Sequence, residues 1–249
     1  MHPLSGKSNA TAMAKVSHLL PHALLRPLVS SELAPDAATL ERFLGYCHRR
    51  RYPNRTDVFR PGDPADTLHY VISGTLSIIS EEADGRELVL SYLNPGDFIG
   101  ELGLFVKTDH REVLLRTRSQ VEVAEISYER LLALFHGPLA IECPRLMYAI
   151  ASQLAKRLLD TSRKASRLAF MDVSGRILRT LLDLCEEPEA LSHPEGTQIR
   201  VSRQELARIS GCSREMAGRV LKQMQADKLL HARGKTVVIY RATREGAAD

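Results

Sequence analysis

No apolar run in this 249-residue sequence approaches the roughly 18 residues that a membrane-spanning helix needs. The N-terminal stretch LLPHALLRPLV is interrupted by His, Arg and two prolines, so it does not resemble the core of a secretion signal. The four cysteines, at positions 47, 143, 185 and 212, include no CxxC pair. We therefore expect a cytoplasmic protein with reduced thiols, no membrane association and no zinc or iron–sulfur site.

Sequence signatures of enzymes are missing as well. His69 and His110 do not form the HxH pairing of a metal-binding cupin barrel, and no Ser, His and Asp occur in a catalytic motif. The GELG sequence at 100–103 lacks the strand–turn–helix unit of a dinucleotide-binding fingerprint. The sequence predicts no catalytic residue and no required cofactor. A cupin-like barrel enzyme is a distant alternative that a stoichiometric metal would favour.

What the sequence does contain is an uneven distribution of charge. Between Arg163 and Arg244 there are 16 Lys and Arg against 9 Asp and Glu, a net charge of +7. Because the whole chain carries +4, the remainder carries −3. A basic C-terminal third is typical of nucleic-acid binding, since cationic side chains neutralise backbone phosphates. A solvated basic surface is the alternative interpretation.

Periodicity divides the chain into segments of different type. Residues 1–34 are rich in Ser, Ala, Pro and His and are expected to form a disordered leader. A short helix is expected in LAPDAATLERFLGYC, and residues 35–137 otherwise contain short strands such as TLHYVISG, TLSIIS, ELVLSYL and VEVAEIS. Glycines 62, 74, 85 and 96 fall at the turns. Strands at intervals of about 8–12 residues predict a β-barrel or jelly roll.

Residues 138–170 are predicted to hold one long helix and a hinge. Apolar or small side chains recur in steps of three and four, the pattern of a coiled-coil seam. The predicted seam consists of Met147, Ile150, Leu154, Leu158, Thr161, Ala165 and Leu168. Because one barrel face cannot easily cover so long a seam, we expect a homodimer in which two such helices pair. Packing against the chain's own barrel is the alternative.

Residues 171–249 predict a winged helix-turn-helix. A helix in MDVSGRILRTLLDLC is followed by the loop EEPEALSHPEG and then by two helices that Gly211 separates. The sequence SRQE predicts a capping box, in which Ser202 caps the first of these two helices and Glu205 reaches back to it. Ser213 is placed to cap the second. The last segment, LLHARGKTVVIY, predicts a hairpin, the wing, that turns at 234–235.

The second of these helices has an apolar face and a polar face. The apolar arc consists of Met216, Ala217, Val220, Leu221 and Met224. Arginine on the polar arc can bind guanine, glutamate can accept from cytosine, and Gly218 leaves room for close approach. Arg203 and Gln204 in the preceding helix are expected to touch phosphates. The predicted DNA-binding residues are Arg203, Gln204, Ser213, Arg214, Glu215, Gly218, Arg219 and Lys222.

The motifs YVISGTLSI, LSYLNPGDFIGELGLF, LAFMDVSGRI and QELARISGCSREMAGRVLK, in this order, resemble the cyclic AMP receptor protein family, also called CRP/FNR or catabolite activator proteins. The resemblance covers residues 40–241. It implies an α+β protein with a jelly-roll cyclic-nucleotide-binding domain (a double-stranded β-helix), a long dimerisation helix and a C-terminal winged helix-turn-helix. It also implies a homodimeric transcription regulator that recognises a TGTGA-like inverted repeat in double-stranded DNA.

The resemblance also implies roles for individual residues. In a cyclic-nucleotide site, Gly100 and Glu101 would bind the ribose and Arg111 would bind the phosphate. Thr161 and Ser162 of the long helix would bind the base. RNA polymerase would be contacted from the barrel and from the SHPEG loop by His48, Arg50, Arg130, His193 and Gly196.

One position departs from the family pattern. Members that respond to cyclic AMP carry a small hydroxyl residue after the phosphate-binding arginine, and Glu112 stands there. A carboxylate cannot donate to a phosphate and adds like-charge repulsion. In a partly buried pocket we expect this to weaken cyclic AMP binding by about 1–3 kcal/mol. We also expect Glu112 to pair with Arg111 or with Arg116.

This departure, with the run RRRYPNRTDVFRPGDPADTL, resembles a subgroup of CAP-like regulators called Clp. That resemblance implies DNA binding without ligand, inhibition by cyclic di-GMP, and control of virulence, secreted-enzyme or biofilm genes. Glu112, Arg167, Arg179 and Asp183 are residue types that can bind guanine and phosphate, although the last two are also spaced as an i,i+4 ion pair. A cyclic AMP-activated global activator is the alternative, and it would need added nucleotide to bind DNA.

Overall fold

The computed structural model describes residues 34–241 and 243. The expected N-terminal leader lies outside these residues except for Ala34. In the described part of the chain no helix is both long and apolar enough to cross a bilayer. The same residues contain no cluster of three or more His, Cys, Asp or Glu suited to a metal ion.

The N-terminal part is a jelly roll of two four-stranded antiparallel sheets, with strand orders β1-β8-β3-β6 and β2-β7-β4-β5. The strands are β1 (His48–Tyr52), β2 (Asp57–Phe59), β3 (Thr67–Ser73), β4 (Leu76–Glu81), β5 (Glu87–Leu93), β6 (Phe98–Ile99), β7 (Leu114–Thr117) and β8 (Val121–Ser127). Their inward side chains, such as Val71, Leu76 and Val123, are completely buried. The predicted barrel is therefore confirmed.

The turn positions of the barrel also agree with the sequence prediction. Gly62, Gly74, Gly85 and Gly96 have φ between 78° and 98°, a backbone conformation that side chains with a Cβ rarely adopt. At Gly74 a Cβ would in addition lie 2.8 Å from the Val121 side chain. The glycine is thus required there by both conformation and space.

Two short helices close one end of the barrel. α1 (Ala37–Leu44) begins at Asp36, whose side chain accepts a hydrogen bond from the Thr39 amide at 2.7 Å. α2 (Tyr128–Phe135) begins at Ser127, whose Oγ accepts a hydrogen bond from the Arg130 amide at 3.3 Å. Phe43 of α1 is 1% exposed and packs against the Tyr70 and Phe98 rings.

The long helix α3 (Cys143–Phe170) is attached to the barrel over its first half. Leu146 and Ile150 are buried in the barrel core. The Gln153 side chain donates to the Phe98 carbonyl and accepts from the Phe98 amide, both at 2.8 Å. A glutamine in this position acts as an extra strand partner for β6, so the direction of α3 is fixed relative to the sheet.

The C-terminal domain contains three helices, α4 (Val173–Leu184), α5 (Arg203–Ser210) and α6 (Arg214–Ala226), and one antiparallel sheet of order β11-β12-β10-β9. Its strands are β9 (Leu191–His193), β10 (Gly196–Arg200), β11 (Leu230–Arg233) and β12 (Thr236–Tyr240). The predicted EEPEALSHPEG loop is partly wrong, because its second half forms β9 and the start of β10. Only β11 and β12 were expected as a wing hairpin.

Candidate DNA-binding and ligand sites

The helix-turn-helix is held by side-chain caps at both helix starts. Ser202 Oγ accepts from the Glu205 amide at 3.1 Å, and Ser213 Oγ accepts from the Met216 amide at 3.1 Å. Gly211 ends α5 with φ 62° and ψ 52°, the left-handed conformation that the sharp turn needs. These features confirm the motif predicted from the sequence.

The second half of the predicted capping box is wrong. The Glu205 carboxylate does not return to Ser202; it accepts from the Tyr92 hydroxyl at 3.2 Å and from Arg118 Nη2 at 3.3 Å. Both donors belong to the barrel. A charged donor and a phenol from another domain satisfy the carboxylate better than one backbone amide.

The outer face of α6 is charged and open to solvent. Arg214, Glu215, Arg219 and Lys222 are exposed, whereas Ala217 is 0% exposed. Within the described residues these four charged side chains form no ion pair, so their charges are available to a nucleic acid. The predicted division of the helix into two faces is confirmed.

Gly218 of α6 faces the start of the neighbouring helix α5. A Cβ at this position would lie 3.4 Å from Cδ of Arg203, which is exposed at the start of α5. The expectation that Gly218 leaves room for a close approach of DNA stays a prediction. Arg203 lies next to the recognition helix α6 at Gly218, and Gln204, which follows it in α5, is also exposed.

The wing contributes two basic residues that the sequence analysis overlooked. Arg233 and Lys235 flank Gly234, which turns the hairpin with φ 63°, and both are exposed. The Lys235 carbonyl accepts from the Val201 amide at 2.8 Å, so the wing tip is tied to the start of α5. The sequence signal for this basic wing tip was a pair of cationic residues, one on each side of the glycine at which the hairpin was predicted to turn.

The barrel brings together Gly100 and Arg111, two residues of the expected cyclic-nucleotide site. Arg111 is 8% exposed; its Nη2 donates to the Thr67 carbonyl at 2.5 Å and its Nη1 lies 3.4 Å from the Tyr128 hydroxyl. Gly100 has φ 84°, and a Cβ there would lie 2.5 Å from Arg111 Nη1. The guanidinium is therefore already engaged by groups of the barrel itself.

The other residues expected at that site have different surroundings. Glu101 is 3% exposed and forms an ion pair with Arg157 of α3, which also donates to the Phe98 carbonyl at 2.6 Å. Thr161 and Ser162 are exposed on α3. The Glu101 carboxylate thus anchors α3 to the barrel in this structure.

The expected pairing of Glu112 is wrong. Glu112 is exposed and forms no ion pair with Arg111 or Arg116. Arg116 instead binds Asp57 at 2.6 Å and Glu87 at 3.0 Å. The hydrogen bond from Arg116 holds the pKa of the Asp57 carboxyl below its usual value.

A large cleft lies between β5, α3, α4 and the end of α5, with a volume of about 1330 Å³. Seven basic and four acidic side chains line it. Asp183 is its central acid: it forms ion pairs with Arg167 and, at 3.3 Å, with Arg179. Of the four residues expected to bind guanine and phosphate, three meet here, and Glu112 is not among the lining residues. The i,i+4 ion pair between Arg179 and Asp183 is confirmed.

The same cleft contains a basic residue that the sequence analysis missed. Lys164 of α3 donates to the Val89 carbonyl of β5. Burial lowers the pKa of Lys164 to about 8, and the positive charge of Arg167 adds to this. A lysine near the end of a predicted dimer helix gave no sequence signal, because its burial depends on β5.

The predicted basic patch on the barrel is partly neutralised. Arg50 pairs with Glu125 at 3.3 Å. His48 and Arg130 are exposed. His193 and Gly196 lie in β9 and β10 rather than in a loop. A Cβ on Gly196 would overlap the Ile239 carbonyl oxygen, so the sheet itself requires this glycine.

The predicted helix seam divides between two environments. Ile150 is 1% exposed and Leu154 packs against the barrel core, which is the alternative that the sequence left open. Leu158 is 69% exposed and Leu168 39%. Met147 is half-buried, and Thr161 and Ala165 are exposed. An exposed stripe of small and apolar side chains runs along α3 through Ala151, Ala155, Leu158, Ser162, Ala165 and Ala169.

Known proteins match both parts of the chain. Residues 49–137 match the cyclic nucleotide-binding domain family, and residues 175–244 match the Crp-like helix-turn-helix domain family. The CRP-like protein Clp of Xanthomonas euvesicatoria pv. vesicatoria (strain 85-10) is 71% identical over 208 residues, covering 84% of this chain and 90% of the relative. The same values hold for Clp of Xanthomonas campestris pv. campestris (strain B100).

Solved structures agree with this assignment. The cyclic di-GMP-responsive global regulator CLP of Xanthomonas campestris, described as linking cell–cell signalling to virulence gene expression, superposes with a TM-score of 0.80 at 71% identity. The match covers 82% of this chain and 99% of that chain. A CRP/FNR regulator of Thermus thermophilus has a TM-score of 0.66 at 20% identity, over 81% of this chain and 99% of its own, which supports the fold.

The close relatives are transcription regulators, so this chain is not an enzyme and the cupin-like alternative is excluded. A barrel of the cyclic-nucleotide-binding type, a long helix and a winged helix-turn-helix occur in the family order. The chain therefore belongs to the CRP family of DNA-binding transcription regulators, in the group of the CRP-like Clp proteins.

Proposed function

We propose that this protein is a cytoplasmic homodimeric regulator that binds a TGTGA-like inverted repeat without ligand and is inhibited by cyclic di-GMP. The observation that carries the proposal is the pairing of an open recognition helix with a separate basic cleft at the domain junction. The proposed base contacts come from Arg214, Glu215 and Arg219, and Arg203, Gln204, Ser213 and Lys222 are proposed phosphate contacts.

The chemistry of the cleft suits cyclic di-GMP. An arginine can donate to guanine O6 and N7, and a carboxylate such as Asp183 can accept from guanine N1–H and N2–H. Seven cations against four acids favour a ligand with two phosphates. The volume of about 1330 Å³ exceeds the ~300–1,000 Å³ of typical ligand sites, as a two-nucleotide ligand requires.

The geometry of the cleft is what favours inhibition over activation, because the description of the relative as cyclic di-GMP-responsive gives no direction. The cleft is bounded by the barrel on one side and by α4 and α5 on the other, so a ligand that fills it would push on both domains. A CRP-like protein of Xanthomonas campestris is described as cyclic di-GMP-responsive and linked to virulence genes. We propose virulence, secreted-enzyme or biofilm genes as targets.

The barrel site is proposed to be vestigial for cyclic AMP. Arg111, Gly100 and Glu101 are engaged by other groups of the chain, and Thr161 and Ser162 remain as proposed base contacts only if a nucleotide enters. A cyclic AMP-activated regulator is the second candidate, because Gly100 and Arg111 still lie together. RNA polymerase contacts through His48, Arg50, Arg130, His193 and Gly196 are retained as a proposal, with Arg50 already paired.

Dimerisation is proposed to use the exposed stripe on α3. Leu158→Asp places a charge in the centre of this stripe and is expected to give a monomer in sedimentation experiments. Leu191→Asp is the matched control, because Leu191 is 58% exposed on β9, a strand of the C-terminal sheet. A dimeric Leu158→Asp protein would contradict the proposed interface.

The decisive experiment is fluorescence anisotropy on a palindromic TGTGA duplex, without ligand, with cyclic AMP and with cyclic di-GMP. We expect tight binding without ligand, weakened only by cyclic di-GMP. Asp183→Asn is expected to lose this inhibition, whereas Asp160→Asn, also in the cleft wall, is expected to keep it. DNA binding that appears only with cyclic AMP would overturn the proposal and favour the second candidate.

A further inference from the structure

Lys164 is a partly buried cation of the cleft that has a single hydrogen-bond acceptor. It projects from α3, and its ammonium donates to one acceptor, the Val89 carbonyl of β5. An ammonium carries three N–H donors. Within the described part of the chain Lys164 forms no ion pair, so this partly buried charge has no carboxylate of its own.

Four arginines of the cleft wall, in contrast, have partners. Arg167 and Arg179 share Asp183, and Arg163 lies 3.4 Å from Asp160. Arg176 donates to three backbone carbonyls. An added anion would therefore compete with existing ion pairs at Arg167 and Arg179, but at Lys164 it would displace only a neutral carbonyl.

Resting on the proposed binding of cyclic di-GMP in this cleft, we propose that Lys164 is a phosphate-binding residue of that ligand. On binding, the ammonium exchanges the Val89 carbonyl for a phosphate oxygen. The exchange breaks a link between α3 and β5, the two elements that meet at the barrel side of the cleft. Lys164 would then both bind the ligand and, through the lost hydrogen bond to β5, change how α3 is held against the barrel.

The exchange also changes the protonation of Lys164. In the free protein, burial and Arg167 lower the pKa of Lys164 to about 8. A phosphate beside the ammonium favours the charged form, so the pKa of Lys164 rises in the complex. Ligand binding near pH 8 then takes up about half a proton, and affinity falls roughly five- to tenfold from pH 7 to pH 9.

The other charged or titratable groups of the cleft wall are Lys156, Asp160, Arg163 and Arg167 on α3, Arg176, Arg179 and Asp183 on α4, Tyr92 on β5, Glu186 and Glu187 after α4, and Arg241 after β12. Of these, Arg167 lowers and Asp183 raises the pKa of Lys164. Burial raises the pKa of Tyr92 well above its usual value, so this phenol stays neutral across the range. Titration of the guanine bases contributes equally to every variant and is removed by comparison.

The test is calorimetric titration of the full-length protein with cyclic di-GMP at pH 7, 8 and 9, in buffers of different ionisation enthalpy. Lys164→Met is expected to bind at least tenfold more weakly and to take up no proton at pH 8. Lys164→Arg keeps the charge but does not titrate in this range, so we expect affinity within about threefold at pH 7 without the pH dependence. Lys107→Met, at an exposed lysine of the barrel outside the cleft, is expected to keep both affinity and proton uptake.

The outcomes separate the two proposals. If the wild-type protein does not bind cyclic di-GMP, the proposed function fails. If the wild type binds but Lys164→Met binds equally well, or Lys164→Arg keeps the wild-type proton uptake, the assignment of Lys164 is wrong while the function stands. Circular dichroism of each variant checks that the fold is retained.

Discussion

Arg118 stacks on Tyr92, with its guanidinium carbon 3.9 Å from the centre of the ring. Both residues lie in the barrel and both donate to Glu205 of α5, while Arg118 also binds Glu189 at 3.0 Å. Because burial raises the pKa of Tyr92, its hydroxyl remains a donor at all ordinary pH values. This cluster fixes the helix-turn-helix against the barrel of its own chain.

Replacing Arg118 is expected to loosen that junction. Arg118→Met removes a cation–π contact worth about 0.5–1 kcal/mol and two partly exposed ion pairs of about 0.5 kcal/mol each. We expect hydrogen exchange in β5 and α5 to become about tenfold faster. Arg86→Met is the control, since Arg86 is 80% exposed and, among the residues that the structure describes, pairs only with Asp84. Equal exchange in wild type and Arg118→Met would show that other contacts hold the domains.

The recognition helix offers a test that separates base contacts from phosphate contacts. Arg219→Ala is expected to cost about 1–3 kcal/mol on the TGTGA duplex and little on a scrambled one. Lys222→Ala is expected to weaken both duplexes similarly and to reduce the salt slope by about 1. Anisotropy over a salt series measures both quantities. Equal loss on both duplexes for Arg219→Ala would place Arg219 on a phosphate.

His69 is expected to make stability depend on pH. Burial, assisted by the positive charges of Arg111 and Arg50, lowers its pKa to about 4, whereas an unfolded chain takes up the proton near 6.5. Between these values the unfolded state binds more protons, so stability is full above pH 6.5 and falls as the pH drops towards 4.

The neutral, buried His69 contributes about 3 kcal/mol to the free energy of unfolding, and about 2 kcal/mol of this contribution is lost between pH 6.5 and 5. Urea unfolding at these two pH values should therefore show a steeper loss for the wild type than for His69→Gln. His110→Gln, at an exposed site, should behave as the wild type. If His69→Gln lost stability between these pH values as steeply as the wild type, His69 would not be the group responsible.

Glu112 is expected to matter less than its position in the sequence suggests. Its side chain is exposed, so repulsion of an anion is screened by water and is worth under about 1 kcal/mol. Glu112→Ser is then expected to raise cyclic AMP affinity by no more than about fivefold in calorimetry. A rise of a hundredfold would show that the carboxylate turns inward when nucleotide is present.

Sequence periodicity predicted the local structure well because local rules decide it. The strands, the glycine turns and the two faces of α6 depend on alternation, positive φ and helical spacing, all of which a single segment displays. The spacing of the α3 seam, however, does not say what covers it. Ile150 turned out to face the chain's own barrel, whereas Leu158 remained exposed.

The missed contacts have partners far away in the chain. Glu205 and Tyr92 are 113 residues apart, and Lys164 and Val89 are 75 residues apart. A capping-box pattern could not reveal that Glu205 finds a better partner in the barrel. Nor could sequence show that Arg116 prefers Asp57 and Glu87 to Glu112. Such choices are made by tertiary packing, which single-sequence rules do not contain.

Arg176 donates to the carbonyls of Met171, Ser210 and Gly211, at 2.9, 2.9 and 3.3 Å. One guanidinium thereby holds the end of the linker against the turn of the helix-turn-helix, so we expect α4 and α5 to move together if the contacts of Tyr92 and Arg118 with Glu205 are released. The linker begins at Met171, where α3 ends in extended backbone with ψ 143°. A small torsional change at Met171 would then displace α6 by a large distance, because α4 and α5 move with it. In a dimer this displacement would change the spacing of the two recognition helices without altering either one.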